Sequence, residues 1–351
     1  MKRRLLVVFL LFIISLNVSA CSHDSRILEK NRSQIPETQS SVNKQVTPVN
    51  FNFDNNMHYI LSKGCWYNEK SALLAFTTKP GEDQSLKLVS WKLDTGDQIQ
   101  LYQDHFDVDR SDQMMINSKL IGYQSYLKAI LFDANTLQVK QEAKAKAGAK
   151  ICYSPNLEYL AEANDEGLYI TNPQSQKTLL DNNSKGYLFL SWSSDNSKLL
   201  YMDNSYSTLG IIDVKSCKKQ TLRAGEDFNV PDGWVDITSC RFLPESSDIL
   251  IEILCENNEA IAVLRQADKY QSKIISDPNS ITFMDASPGT ILYLISDKSE
   301  YRLMRWDYLN DSSEIVYQVK EIIDSAFFSP GGDKIMFCTR DKQAQHFYLY
   351  Q

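Results

Sequence analysis

Cys21 is the residue whose surroundings point most clearly to a chemical role. The chain begins with positive residues at Lys2–Arg4, continues with an apolar run at Leu5–Leu16, and reaches short side chains at Val18–Ala20 just before the cysteine. This order predicts an N-terminal export signal. The Cys21 thiol follows that signal directly, and a cysteine sulfur in its thiolate form is a nucleophile.

The sequence Val18-Ser19-Ala20-Cys21 resembles the lipobox of a bacterial lipoprotein signal. The resemblance implies a signal peptide at residues 1–20, acylation of the Cys21 thiol and lipid anchoring on the extracytoplasmic side of a bacterial membrane. Several acyl chains on this residue satisfy the rule that stable anchoring needs more than one. An ordinary secretory signal is the alternative, although it does not require a cysteine there. An uncleaved helix is not expected, because crossing a bilayer takes about 20 apolar residues.

A cluster of aspartates forms the other set whose spacing suggests chemistry. It consists of Asp104, Asp107, Asp109 and Asp112. Carboxylates at such intervals can ligate calcium through their oxygens. The segment lacks the bending glycine and the trailing glutamate of an EF-hand loop, so we expect a solvated acidic loop, with calcium binding as the alternative.

Catalytic motifs are missing from the sequence. It has no nucleophile elbow, no phosphate-binding loop, no H-E-x-x-H pattern and no C-x-x-C pair. The four histidines are far apart, at His23, His58, His105 and His346. We therefore expect a protein that is not an enzyme and has no cofactor or metal. We also expect no disulfide between Cys240 and Cys255, because Cys255 lies beyond the position opposite Cys240 in the hairpin around Ser246.

The charge balance narrows the range of partners. The formal net charge is -7, and removal of the signal peptide takes away three positive charges, which leaves about -10 on the mature chain. Nucleic-acid binding requires a basic face and is not expected. Electrostatic adhesion to anionic lipid headgroups is not expected either, so membrane attachment depends on the lipid anchor.

The chain divides into three parts by composition. Residues 1–20 are the signal peptide, and residues 21–50 are polar enough to form a flexible tether rather than a core. From residue 51 to residue 351, short runs of aromatic and β-branched residues alternate with turn residues, which is the pattern of many short strands.

A strand–turn–strand unit recurs seven times in residues 51–351. The turn centres lie at Asn68, Asn117, Pro155, Asp195, Pro244, Pro288 and Pro330. Each unit is followed by one or two further strands, and a spacing of about 40 to 50 residues between four-stranded units is typical of β-propeller blades. We therefore predict an all-β fold, a seven-bladed propeller of four-stranded antiparallel blades. The last blade lacks a fourth strand, and the segment Val49–Phe53 is predicted to supply it and close the ring.

The final repeat, Phe328-Ser329-Pro330-Gly331-Gly332-Asp333-Lys334-Ile335-Met336-Phe337, resembles the repeat of TolB-like propellers, which reads Phe-Ser-Pro-Asp-Gly-x-x-Ile-x-Phe. Gly331 replaces the usual aspartate, and the other copies match less well. The resemblance implies a role as a scaffold for other proteins.

Two connections between blades are the predicted binding rim. They are Asp104–Asp112 and Arg223–Asp236, and both should project from the same face of the ring. The candidate contact residues are Trp234, Phe228, Asp232, Asp107 and Asp109. The alternative is that Trp234 and Phe228 pack over the neighbouring blade, because large aromatic side chains are more often buried than exposed in patches.

Three functions remain open. The preferred one is a monomeric, lipid-anchored scaffold of the cell envelope that binds an envelope protein or peptide without catalysis. The second is a propeller that binds cell-wall or extracellular glycan, and the third is a propeller enzyme such as a lyase or a hydrolase.

Overall fold

Seven separate antiparallel sheets of four strands each account for most of the described chain. The structure is a computed structural model. It describes residues 46–51, 59–78, 85–105, 113–116, 119–125, 127–146, 149–182, 186–342 and 344–351. The predicted all-β seven-bladed propeller is confirmed. Cys21, Asp107 and Asp109 lie outside the described residues.

Each sheet is one blade, and its strands follow one another from the inside of the ring outwards. The inner strands are β2 (Tyr59–Asn68), β6 (Gln113–Ile116), β10 (Lys150–Tyr153), β14 (Phe189–Trp192), β18 (Trp234–Phe242), β22 (Ser280–Ser287) and β26 (Ile322–Phe328). The second strands are β3 (Ser71–Thr78), β7 (Leu120–Gln124), β11 (Leu160–Asn164), β15 (Lys198–Met202), β19 (Ile249–Cys255), β23 (Thr290–Ser296) and β27 (Ile335–Arg340).

The third strands are β4 (Ser85–Lys92), β8 (Lys128–Asp133), β12 (Gly167–Thr171), β16 (Thr208–Asp213), β20 (Glu259–Arg265), β24 (Tyr301–Asp307) and β28 (Gln345–Tyr350). The outer strands are β5 (Gln98–His105), β9 (Val139–Lys144), β13 (Lys177–Asp181), β17 (Lys219–Arg223), β21 (Gln271–Ser276), β25 (Ser312–Val319) and β1 (Val46–Val49). Blades 1 to 7 are numbered by their inner strands. A short 3₁₀ helix at Gln266–Asp268 joins β20 to β21.

Ring closure by an N-terminal strand is confirmed, but the strand lies earlier than predicted. β1 covers Val46–Val49 rather than Val49–Phe53, and it pairs antiparallel with β28. It therefore lies in the last part of the segment predicted as tether. Pro48 is tolerated because an outer strand does not need every backbone N–H for its ladder. Phe51 reinforces the closure, since its ring lies 4.5 Å from that of Phe347 in blade 7 and 4.7 Å from that of Trp91 in blade 1.

The serine of the repeat holds the turn between the inner and second strands. Ser193 Oγ donates to Asp195 Oδ1 at 2.6 Å and accepts the backbone N–H of Lys198 at 2.8 Å. Ser329 makes the equivalent bonds in blade 7, to Asp333 and from Lys334. Gly332 has a φ of 71° in that turn, a left-handed conformation that glycine adopts without steric cost. The repeated motif is therefore a turn signature.

The core lies between neighbouring blades, where the apolar faces of adjacent sheets meet. Cys65, Cys152, Cys240, Cys255 and Cys338 belong to these clusters or border them, and all five are free thiols. Cys240 lies opposite Ile251, and Cys255 lies opposite Trp234, so the pairing register keeps the two thiols apart as expected. Within the described residues, no helix is long and apolar enough to cross a membrane.

Candidate functional sites

The two rims of the ring differ in the segments that they contain. Because strands alternate in direction, the turns from inner to second strands lie at one rim, which we call the turn rim. The connections between blades and the turns from second to third strands lie at the other, which we call the connection rim. The ends of β5 and β17 therefore reach the same rim, while residues 106–112, which follow β5, lie outside the described residues.

Three exposed apolar side chains lie on the connection rim around the start of blade 5. Tyr206, Val235 and Leu254 are 42, 45 and 38% exposed, and we call them, together with Trp234, the rim patch. The backbone N–H of Ile237 donates to the Tyr206 carbonyl at 2.9 Å, which holds the turn of blade 4 against β18. Val235 lies in a β-bulge beside Leu254, because Asp236 is the residue that pairs with Leu254. The four residues therefore lie on adjacent backbone segments, with Trp234 on the side of blade 5 that packs against blade 4 and Leu254 on the side that faces blade 6.

The connection Arg223–Asp236 is hydrogen-bonded to blade 5 at two points. Ser272 Oγ in the outer strand of blade 5 donates to the Asn229 carbonyl at 2.8 Å. The backbone N–H of Glu256 donates to the Gly233 carbonyl at 2.8 Å. Phe228 is only 2% exposed and packs in the core cluster between blades 4 and 5. The first part of the connection therefore lies against the blades, and Phe228 packs as the alternative interpretation expects.

Trp234 and Asp232 have different environments at the end of this connection. Trp234 is half-buried against the cluster that contains Ile237, and its indole N–H is buried with no hydrogen-bond partner among the described residues. Asp232 is exposed. Trp234 therefore contributes to the packing of blade 5 as well as to the rim patch, and Asp232 remains available as a surface charge.

Carboxylates surround the rim patch. Asp232 and Asp236 flank Trp234 and Val235 in sequence, and Glu256 follows Leu254 by two residues. Arg223, at the start of the connection, is paired with Glu226 at 3.7 Å. The rim patch is therefore an apolar surface with an acidic border.

A cavity of about 550 Å³ occupies the centre of the ring, and residues from all seven inner strands line it. Pro155, Ser194, Pro244 and Pro330, which belong to the turns between inner and second strands, also line it. The cavity therefore opens towards the turn rim. The rim patch lies at the opposite end of the inner strands, so the two candidate sites are separate.

Three charged side chains from different blades meet beside Phe283 in this cavity. The guanidinium of Arg241 lies 4.4 Å and the ammonium of Lys63 lies 5.8 Å from the centre of the Phe283 ring. Arg241 Nη2 contacts Ser239 at 3.3 Å and Glu252 at 3.4 Å, while Arg241 Nε is buried with no hydrogen-bond partner among the described residues.

Asp285 is the third charged group. Its Oδ2 accepts the backbone N–H of Phe328 at 2.8 Å and so links blade 6 to blade 7. Desolvation raises the pKa of the Asp285 carboxyl to about 6, although the N–H groups of Phe328 and Ala286 and the charges of Lys63 and Arg241 act in the opposite direction. The site therefore combines two cations with one carboxyl whose charge is disfavoured.

Two cysteines, Cys65 and Cys152, also line the cavity. Burial raises the pKa of both thiols, to about 12 for Cys152. Thiolates are the reactive form of cysteine, so neither thiol is activated as a nucleophile. These two cysteines contribute small apolar surface to the cavity.

The sequence analysis missed the charged residues of the cavity. Arg241 and Asp285 each precede the proline of the following turn by three residues. The residues three before the turn centres of the other blades are apolar, namely Cys65, Met114, Cys152, Trp192 and Phe327. A charged residue at an otherwise apolar repeat position is the signal that identifies them. Their meeting with Lys63 depends on the ring geometry, because the three residues lie in blades 1, 5 and 6.

No group of three or more histidine, cysteine, aspartate or glutamate side chains is positioned to hold a metal ion in the described part of the chain. His346 lies in β28, where its Nε2 is 3.1 Å from the carboxylate of Asp341.

Comparison with known proteins supports the fold but does not identify a function. No family model matches the chain, and no curated protein has a matching sequence. The chain is similar in structure to the Cps50 (Swd1) β-propeller domain of Myceliophteria thermophila, with a TM-score of 0.60 and 13% identity over 88% of this chain and 100% of that domain. It is similar to an oligogalacturonate lyase in complex with manganese, with a TM-score of 0.60 and 12% identity over 88% of this chain and 97% of the lyase.

A chain of the mitotic checkpoint complex is a third similar structure, with a TM-score of 0.52 and 14% identity over 88% of this chain and 93% of that one. Proteins as different as a lyase and a member of a protein assembly thus share this propeller. Fold alone therefore does not decide the function.

Proposed function

We propose that the protein is a lipid-anchored, extracytoplasmic propeller that acts as a non-catalytic scaffold and binds another envelope protein through the rim patch. The observation that carries this proposal is the exposed apolar surface of Tyr206, Val235 and Leu254, held on backbone that is hydrogen-bonded across two blades. Exposed apolar groups that adjoin one another on a rigid framework are typical of protein interaction sites.

The partner surface is a basic segment with apolar side chains. The acidic border at Asp232, Asp236 and Glu256 attracts positive charge, and like charges across an interface disfavour acidic partners. The apolar centre requires aliphatic or aromatic side chains for close packing. Glycan binding is less well supported, because a glycan site needs exposed aromatic side chains to pack against the sugars. Tyr206 is the one aromatic residue among the large apolar side chains that are strongly exposed in the described chain.

The location rests on the sequence Val18-Ser19-Ala20-Cys21 and its resemblance to a lipobox. In this proposal residues 1–20 are removed, Cys21 carries the lipid, and a tether up to residue 45 separates the membrane from β1. A flexible tether of about 25 residues has a mean end-to-end distance of roughly 25–30 Å. A tether of this length leaves the propeller free to turn its connection rim towards a partner.

Substitution of Tyr206 tests the binding proposal without a large cost to the fold. Tyr206 has a φ of 56°, and asparagine tolerates this left-handed conformation better than tyrosine does. We expect Tyr206→Asn to keep or slightly raise the melting temperature and to reduce capture of the crosslinked partner from cells by about tenfold. Cys217→Asn is the matched control, because Cys217 is exposed, has the same φ of 56° and lies at the turn rim. Equal capture by the two variants would exclude the rim patch.

Substitution of Cys21 tests the location. Cys21→Ala removes the thiol that acylation requires, so we expect the protein to leave the membrane fraction or to remain unprocessed. Mass spectrometry of the wild-type N-terminus should show Cys21 with added acyl mass. A mature N-terminus without that mass contradicts lipid anchoring.

A further inference from the structure

The central cavity has the size and composition of a small-molecule site. Its volume of about 550 Å³ falls within the range of roughly 300–1,000 Å³ that is typical of ligand pockets. Apolar side chains such as Met114, Trp192 and Phe283 line most of it, and a few charged groups converge on one side. This combination of an apolar wall with a few convergent polar groups is common in binding sites.

The charges at that side favour an anion. Lys63 and Arg241 both lie against Phe283, in a chain whose overall charge is negative. Arg241 uses Nη2 for Glu252 and Ser239, and its buried Nε has no hydrogen-bond partner among the described residues. Nε is enclosed by protein, whereas Nη1 is neither hydrogen-bonded nor buried among the described residues, so Nη1 is the guanidinium nitrogen that a ligand oxygen can reach.

The neighbouring carboxyl limits the charge of that anion. Asp285 interacts electrostatically with both cations and is fixed by its bond from the Phe328 N–H. Glu252, which pairs with Arg241, is a second carboxylate, so the two cations are already balanced and a doubly charged phosphate would add two uncompensated charges. A monoanion adds only one, and its oxygens can accept charge-assisted hydrogen bonds from Arg241 and Lys63.

We propose that the cavity binds a small organic monocarboxylate, with its carboxylate held by Arg241 and Lys63 and its apolar body packed against the wall around Trp192. Entry is from the turn rim, through the turns that contain Pro155, Pro244 and Pro330. This site is separate from the rim patch and goes beyond the proposed scaffold function.

Titration of the purified full chain with a graded set of monocarboxylates tests the proposal. The probes are acetate, hexanoate, benzoate and indole-3-acetate, and benzamide serves as the uncharged counterpart of benzoate. Binding is measured by ligand-observed NMR and by calorimetry. We expect binding to strengthen with the apolar body and benzamide to bind at least about tenfold more weakly than benzoate, because it lacks the charge. Failure of all four carboxylates to bind, or equal binding of benzoate and benzamide, overturns the proposal.

Variants locate the binding. Arg241→Gln should weaken benzoate or indole-3-acetate about tenfold or more, and Lys63→Met provides a second test if the first variant folds poorly. Arg305→Gln is the matched control, because both arginines are mostly buried and each forms a cross-strand ion pair. Arg305 is 25% exposed and lies 3.6 Å from Glu314. Arg241 is 17% exposed and lies 3.4 Å from Glu252. Binding that survives both cavity substitutions lies elsewhere and contradicts the assignment.

Discussion

The rim patch and the central cavity share the inner strand β18 but present different physical chemistry. At the connection rim, the beginning of β18 exposes Val235 beside Leu254 and Tyr206, with carboxylates around them. Six residues further along the same strand, Arg241 lies against Phe283 at the centre of the ring. One strand therefore contributes an open apolar surface at its start and a buried cation near its end.

This contrast follows from the geometry of a propeller blade. Inner strands converge on the ring axis, so a side chain in the middle or at the end of the strand meets groups from other blades. A side chain at the beginning of the strand has neighbours on fewer sides. Large flat surfaces suit protein partners, and enclosed cavities suit small ligands. The two sites should therefore respond independently to substitution, provided that the ring remains closed.

Opening the ring should have the largest effect, because it removes the framework shared by both sites. Deletion of residues 46–51 removes β1 and the Phe51 ring that joins blades 1 and 7. Loss of three partly buried apolar side chains costs about 3–5 kcal/mol, which corresponds to a fall in melting temperature of roughly 10 °C. Thermal unfolding of the deletion variant measures this loss.

Deletion of residues 25–30 is the control of equal length within the predicted tether. We expect it to leave the melting temperature within about 1 °C of the wild type, because surface changes away from packed groups are usually small. A similar loss from both deletions contradicts the role assigned to β1.

Neutralising Asp285 should change the melting temperature less than opening the ring does. The change should depend on pH and should not extend to the rim patch. The pKa of the Asp285 carboxyl is raised from 3.8 to about 6 in the folded state, so the folded state favours the protonated form. Its contribution to stability is complete below pH 3.8 and is lost as the pH rises through about 6. Asp285→Asn keeps an acceptor for the Phe328 N–H and cannot ionise.

The melting temperature of Asp285→Asn relative to the wild type should therefore be higher at pH 7.5 than at pH 5. Asp165→Asn, at an exposed turn carboxylate, should show no such change. Capture of the protein partner should be unaffected, since Asp285 lies at the cavity. A stability difference that is the same at both pH values contradicts the assigned titration.

The blades could be predicted from the sequence because each carries its own local turn signal. The serine that holds the turn and the left-handed residue that follows it are short-range features, and both recur at regular spacing. The position of β1 could not be predicted in the same way. Pro48 argues against a strand in local terms, and its tolerance follows only from its place at the outer edge of blade 7.

The candidate sites were less predictable than the blades. The Arg223–Asp236 connection stood out by length and aromatic content, but whether Phe228 packs inwards depends on the shape of the groove between blades 4 and 5. Tyr206 and Leu254 escaped notice because they join Val235 only through the packing of a turn and a second strand. Contacts between residues distant in sequence carry no local signal.

Photo-crosslinking from position 235 in cells tests the central claim most directly. A photoreactive amino acid replaces Val235, which is 45% exposed in the rim patch, and in a parallel strain it replaces Ile315, which is 51% exposed on the outer strand of blade 6. Binding through the rim patch predicts that the residue at position 235 forms a discrete adduct with an envelope protein. The residue at position 315 should form no such adduct, and the adduct from position 235 should disappear when Tyr206→Asn is also present. No adduct from position 235, or the same adduct from both positions, contradicts the proposed scaffold function.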